Sequence, residues 1–151
     1  MDHPLDPLSG DEFTAAAAIL RRERGVQAPG WRFASIELME PSKQELAAFD
    51  IGGPRPARRV LVVCFDRGAN ATYRSVLSLS GDRIETFEHI PGVQANFTVD
   101  EFTECDALLR SHPDVIAALH SRGITDIDLV SFDTWTFGDA VAPPEFRHRR
   151  I

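Results

Sequence analysis

The sequence predicts an α+β fold in which an antiparallel sheet carries packed helices and is followed by an incomplete second unit of the same kind. Three observations lead there. A capped amphipathic helix opens the chain, three β-type runs follow one another across short turns, and near residue 98 another capped helix restarts the helix-then-strand order without reaching a meander.

Taken in order, Ser9-Gly10-Asp11-Glu12 is a capping box, and the helix it opens runs to about Arg24. Phe13, Ala17 and Leu20 share one face, Arg21, Arg22 and Arg24 suit the negative end of the helix dipole, and Gly25 supplies the stop. Pro29-Gly30 turns the chain into a strand from Trp31 to Glu40, whose Ala34, Ile36 and Leu38 alternate with Ser35 and Glu37. Pro41 ends it, and Ser42 with Glu45 caps a short helix that turns Leu46 and Phe49 inward. Gly52-Gly53-Pro54-Arg55-Pro56 is a loop. The runs Arg59 to Asp66, Thr72 to Ser80 and Arg83 to His89 are joined by turns at Arg67-Gly68-Ala69-Asn70 and Ser80-Gly81-Asp82, so they pair as an antiparallel meander.

Ile90-Pro91-Gly92 breaks that pattern. Thr98-Val99-Asp100-Glu101 caps a helix with Phe102, Cys105 and Leu109 on one face, and Pro113 opens a further helical stretch that continues through Asp114 to Ser121 and stops by Gly123. Ile127 to Phe137 is expected to be a strand carrying Leu129, Phe132, Trp135 and Phe137. A lone strand cannot satisfy its own backbone groups, so this second unit reads as unfinished.

Composition narrows the function classes. The 151 residues include 16 Lys and Arg against 23 Asp and Glu, a formal net charge of −7, with 43% hydrophobic residues and ten phenylalanines. Such a chain can bury a core and is not disordered as a whole. An acidic balance excludes general binding to a phosphate backbone, so no nucleic-acid partner is expected. No apolar run approaches the roughly 20 residues that span a bilayer. Met1-Asp2-His3-Pro4-Leu5-Asp6 lacks the basic and apolar regions of a Sec signal, so neither membrane nor secretion is expected. Cys64 and Cys105 have no Cys-x-x-Cys spacing and read as buried thiols of a cytoplasmic protein.

No catalytic constellation emerges from the residues themselves. His3, His89, His112, His120 and His148 show neither His-x-His nor His-Glu-x-x-His spacing and read as solvated or locally bonded side chains. Ser78-Leu79-Ser80-Gly81-Asp82 lacks a nucleophile-elbow pattern and is a turn, and Gly52-Gly53 and Gly81 precede no helix that could cradle a phosphate. Asp126, Asp128 and Asp133 alternate along the expected strand as a solvated face, and Arg147-His148-Arg149-Arg150 reads as a salt-bridging or solubilising basic segment rather than a site for an acidic partner.

A resemblance adds to this reading. Pro7-Leu8-Ser9, Gly30-Trp31-Arg32-Phe33-Ala34-Ser35-Ile36-Glu37-Leu38, Pro41-Ser42-Lys43 and Pro91-Gly92-Val93-Gln94 resemble, in order and spacing, the N-terminal region of copper amine oxidases, the quinone-containing primary amine oxidases. The stretch Asp100-Glu101-Phe102-Thr103-Glu104-Cys105-Asp106, then His112-Pro113-Asp114-Val115 and Arg149-Arg150-Ile151, extend it over nearly the whole chain. The resemblance implies two small cystatin-like domains: residues 1–95 as a complete first one (N2-like) and residues 96–151 as the truncated start of a second (N3-like). The family's catalytic β-sandwich domain would be absent. Intact relatives use copper and topaquinone, act as homodimers, and convert a primary amine, oxygen and water to an aldehyde, ammonia and hydrogen peroxide.

This sequence departs from the family where the chemistry lies. The quinone precursor is a tyrosine in an Asn-Tyr-Asp/Glu motif, whereas the only tyrosine here, Tyr73, is flanked by Thr72 and Arg74, and no His-x-His copper pair is present. The resemblance therefore implies an N-terminal fragment that binds no cofactor and has no activity alone, its partner being the catalytic domain. By position Phe102 and Trp135 would line the funnel that leads the amine to the quinone, the alternative for both being a core aromatic. A stand-alone, non-enzymatic interaction module with the same small fold is the second reading.

Overall fold

The computed structural model describes residues 3–135, which fall into two compact units, one ending at Ala95 and one starting at Asn96. In the first, helix α1 (Gly10–Arg24) is followed by strand β1 (Trp31–Met39), helix α2 (Lys43–Asp50), and strands β2 (Arg59–Asp66), β3 (Ala71–Ser78) and β4 (Arg83–Ile90). The strands form one antiparallel sheet in the order β1-β2-β3-β4. This is the expected α+β arrangement of a meander with packed helices.

Capping positions α1. Ser9 Oγ accepts from the Glu12 amide at 3.2 Å and the Glu12 carboxylate accepts from the Ser9 amide at 2.9 Å, which satisfies two of the amides left orphaned at a helix start. At the far end Gly25 takes a left-handed φ of 66° and returns its amide to Arg21 O, a conformation that costs a side-chain-bearing residue about 1 kcal/mol or more. Ser42 and Glu45 repeat the capping box on α2.

The core lies between α1 and one face of the sheet. Ala16, Ile19 and Leu20 of α1, Val26 beyond it, Val60, Val62 and Cys64 of β2 and Leu77 of β3 are all buried. Fully burying each of the larger aliphatic side chains stabilises the fold by about 1.5–3 kcal/mol. Phe13, expected on this face, is instead 42% exposed: it shares the rotational position of Leu20 but sits in the first turn, and the buried stripe begins only at Ala16. Leu46 and Phe49 of α2 are half-buried rather than core residues.

Both edge strands carry an irregularity that decides which residues meet the core. In β1, Phe33 pairs with Cys64 and Ser35 with Val63, so Ala34 is an extra residue, a β-bulge. Strict alternation would place Phe33 opposite Ile36; the bulge puts both on the core side, and Ala34 is not the inward residue that the alternation implies. In β4, Val76 pairs with Thr86 and Leu77 with Ile84, so Glu85 is skipped and Ile84 joins Phe87 on the same side. Bulges at edges also twist exposed ladder groups away from further pairing.

Residues 91–95 are tied to the sheet through Thr72, whose hydroxyl donates to Val93 O at 3.0 Å and accepts from the Ala95 amide at 2.9 Å. The four strands end within two residues of their expected limits, the largest difference being β3, which stops at Ser78 rather than Ser80.

The second unit holds α3 (Val99–Ser111), α4 (Pro113–His120) and a single 3-10 turn, η1 (Ile127–Leu129). The expected strand from Ile127 to Phe137 is not formed over its described part, Ile127 to Trp135, and Asp126, Asp128 and Asp133 line no strand face. The backbone groups find local partners instead. Arg110 of α3 donates to Ile127 O and Val130 O, both at 2.9 Å, Asp126 Oδ1 accepts from the Asp128 amide at 3.0 Å, and the Val130 amide returns to Ile127 O. The described residues of this unit include no strand that could pair with it, and a segment without a neighbouring strand leaves its ladder groups to such partners. Phe137 and Arg147-His148-Arg149-Arg150 lie outside the described residues.

Among the described residues no helix is long and apolar enough to cross a membrane.

Candidate functional site

Among the described residues of the second unit only Glu101 is buried, and large apolar side chains stand exposed on it, including Val99, Leu108 and Leu129. Glu101 accepts from the Thr98 amide at 2.8 Å and from its hydroxyl at 3.2 Å, which fixes the start of α3. That start sets the face on which Phe102 sits.

The Phe102 ring stacks on Phe97, with centroids 6.5 Å apart and planes 20° from parallel, and remains 37% exposed. Phe97 in turn lines a groove of about 420 Å³ together with Asn96, Asp133, Thr134 and Trp135. Trp135 is 75% exposed, and its indole N–H donates to Asp133 Oδ2 at 2.9 Å. Both aromatics singled out in the sequence are thus on the surface, Trp135 in the groove wall and Phe102 behind it through Phe97. Phe97, Asp133 and Thr134 escaped the sequence reading. By sequence Asp133 is one of three carboxylates on a solvated strand face, and only the irregular course of the chain after η1 brings it to the indole.

A second trough of about 510 Å³ runs between α3 and α4, lined mainly by Leu109, Val115, Ala118 and Leu119.

Three of the described histidines have local tasks. His112 Nδ1 accepts from the Asp114 amide at 3.3 Å and so caps α4, while His3 Nδ1 accepts from the Leu5 amide at 3.2 Å. His89 lies against the Tyr73 ring at 5.3 Å. No three His, Cys, Asp or Glu side chains among the described residues are grouped to hold a metal. Tyr73 is packed into an aromatic cluster, stacked on Phe87 at 4.9 Å with Trp31 at 5.3 Å. The described residues therefore do not fit a copper–quinone centre.

Neither cysteine is in a disulfide. Cys64 is buried beneath α1, and burial pushes its thiol up to about 12, whereas Cys105 on α3 is only half-buried rather than a core residue.

Comparison with known proteins agrees with this architecture. The family described as copper amine oxidase, N2 domain, matches residues 3–90. A primary amine oxidase of Arthrobacter sp. (strain P1) is 40% identical over 139 residues, which cover 91% of this chain and 21% of that protein. The peroxisomal N-methylputrescine oxidase 1 of Nicotiana tabacum is 29% identical over 90% of this chain and 21% of its own length. The chain thus spans about a fifth of these curated relatives. In fold it is similar to a copper-containing benzylamine oxidase from Hansenula polymorpha, with a TM-score of 0.66 and 24% identity over 79% of this chain and 19% of that one. The chain belongs to the copper amine oxidase family, of which residues 3–90 form the N2 domain.

Proposed function

We propose that the chain is the N-terminal part of a copper and topaquinone primary amine oxidase, inactive by itself, with residues 1–95 as the first small domain and residues 96–151 as the start of the second. In this reading the catalytic domain, supplied by polypeptide beyond this stretch, carries out the oxidative deamination of a primary amine, and the intact enzyme is a homodimer. The match to the N2 family over residues 3–90, continued by 40% identity to the Arthrobacter enzyme across most of the chain, carries the proposal. Phe102 and Trp135 then contribute to the passage by which the amine approaches, a role that their exposure permits.

A chimera tests the reading. This chain replaces the matching 139-residue stretch of the Arthrobacter primary amine oxidase, and amine-dependent peroxide release is followed after copper loading. The chimera is expected to assemble and turn over, and the isolated chain to bind no copper and form no quinone. A chimera that assembles but releases no peroxide, or an isolated chain that takes up one copper and stains for a redox-cycling quinone, would overturn it. Within the chimera, Phe102→Ala or Trp135→Ala should lower kcat/KM for an aromatic amine about tenfold more than for methylamine, the scale of one lost apolar contact. Equal losses for both amines would assign these residues to packing instead.

A further inference from the structure

The last turn of α1 carries Arg21, Arg22 and Arg24, and the fold engages only the second of them in ion pairs among the described residues. The Arg22 guanidinium bonds the Asp82 carboxylate at 3.1 and 3.2 Å and Glu23 at 2.8 Å. Arg21 and Arg24 are exposed, and each lies over a ring instead: Arg21 is 5.8 Å from the centroid of Phe33 and Arg24 is 5.0 Å from that of Phe87. These rings stand at one end of the sheet on its core side. Phe33 shares a row across the strands with Tyr73, Tyr73 stacks on Phe87 at 4.9 Å, and Trp31 is 5.3 Å from Tyr73 and 6.5 Å from Phe87. All four are half-buried, so each keeps surface open to solvent. Carboxylates of the surrounding elements have other partners, Glu23 and Asp82 in Arg22, Glu88 in Arg74 at 3.1 Å, and Asp66 in the amides of Gly68 and Ala69.

In a chain of net charge −7 this is a patch of uncompensated positive charge set on aromatic surface. The helix dipole accounts for basic residues at the end of α1, but it needs no rings beneath them. We propose that the patch formed by Arg21, Arg24, Trp31, Phe33, Tyr73 and Phe87 docks an acidic segment of a separate polypeptide. The partner's carboxylates take the guanidinium N–H donors, and an apolar side chain between them packs on Trp31 and Tyr73. Arginine beside tryptophan and tyrosine is the composition in which binding energy concentrates at protein interfaces. Cation–π attraction holds each guanidinium over its ring, which reduces the side-chain freedom lost on pairing and leaves in-plane donors for a carboxylate. A nucleic acid fits poorly, because 23 acidic against 16 basic side chains repel an extended polyanion. A short acidic segment feels chiefly the charges within about 8 Å, one Debye length in physiological salt. The surface lies in the first unit and does not depend on the oxidase reading.

The test follows tryptophan fluorescence in the full chain carrying Trp135→Phe, which leaves Trp31 as the sole tryptophan. The probes are acetyl-Glu-Glu-Phe-Glu-Glu-amide and its neutral counterpart acetyl-Gln-Gln-Phe-Gln-Gln-amide, at neutral pH and low ionic strength. A saturable change with the acidic peptide and none with the neutral one is expected. The apparent Kd should weaken about fivefold in Arg21→Gln and in Arg24→Gln, the scale of one exposed ion pair. Arg55→Gln removes the same charge from the exposed loop before β2 and should leave the Kd unchanged. Both patch arginines are exposed, and an unchanged circular dichroism spectrum confirms that their variants keep the fold. No saturable change, an equal response to the neutral peptide, undiminished affinity in Arg21→Gln and Arg24→Gln, or equal weakening in Arg55→Gln would overturn the proposal. Tighter binding of inorganic tripolyphosphate than of the peptide would also overturn it, in favour of a phosphate ligand. A dimer seen by light scattering and dissociated by Arg24→Gln would overturn it by giving the patch to a second copy of the chain.

Discussion

The carboxylate of Glu12 is shared between its own helix and Arg58, a residue 46 positions further on: it accepts from the Ser9 amide at 2.9 Å and from Arg58 Nε at 2.7 Å and Nη2 at 3.1 Å. The same guanidinium donates to the carbonyls of Pro4, Asp6 and Pro7 at 2.9, 2.8 and 3.1 Å. One side chain thus ties the chain ahead of α1, the helix cap and the entry to β2. The planar fork of donors explains why arginine stands there.

Arg58→Gln should lower the unfolding free energy at neutral pH by about 2–3 kcal/mol, because the arginine side chain is only 14% exposed and its loss removes the donors it supplies to three carbonyls and leaves the charged Glu12 carboxylate with the Ser9 amide. Arg58→Lys should recover only part of this, a lysine being a point donor. Urea denaturation of the three proteins measures it; a loss below about 0.5 kcal/mol in the glutamine variant would place the cluster among surface ion pairs of little consequence.

The hydrogen bond from Arg58 holds the Glu12 carboxyl down at about 2, against an ordinary value of 4.5. A depressed folded-state pKa adds stability that is fully present above 4.5 and is lost as the pH falls toward 2. Urea midpoints should therefore drop across that window, and Arg58→Gln should flatten the drop by letting Glu12 return toward its ordinary value. Identical acid profiles for both proteins would mean that other carboxylates govern the transition.

In the second unit Arg110 bonds Asp106 at 2.8 Å, takes the carbonyls of Ile127 and Val130, and lies over the Phe132 ring at 5.5 Å. Arg110→Met keeps the aliphatic stem and deletes every donor. Amide exchange at Leu129 and Val130, whose N–H groups close the 3-10 turn, should accelerate about tenfold or more, the equivalent of roughly 1.4 kcal/mol. Exchange from Val60 to Phe87 should not change. Uniform acceleration across the chain would show instead that Arg110 supports global stability.

The two thiols should separate cleanly under a thiol reagent at mildly alkaline pH. Cys105, half-buried on α3, reacts in the native protein, whereas Cys64, buried and with its thiolate disfavoured, waits for unfolding. One equivalent modified before denaturant and two after is the expected count, with Cys105→Ser abolishing the first. Rapid modification of both in native buffer would mean that α1 opens readily from the sheet.

The limits of α1, α2 and the meander were legible because each is marked by chemistry within a few residues: Ser9 with Glu12, Ser42 with Glu45, Gly25 as a stop, and turn residues between β-branched runs. Which side chains those elements turn inward was not. Phe33 and Ile84 reach the core only because Ala34 and Glu85 bulge out of the ladders, and a bulge is chosen by the partner strand and by the core that must be filled. The same distinction holds for the segment after Ile127, where alternation of apolar residues reads as a strand, yet a strand needs a neighbour and Arg110 takes the carbonyls instead. Trp135 and Phe102 could be singled out by resemblance, but the groove formed by Phe97, Asp133, Thr134 and Trp135 could not. It joins residues nearly forty positions apart, and only the tertiary course of the chain brings a carboxylate and an indole to one wall.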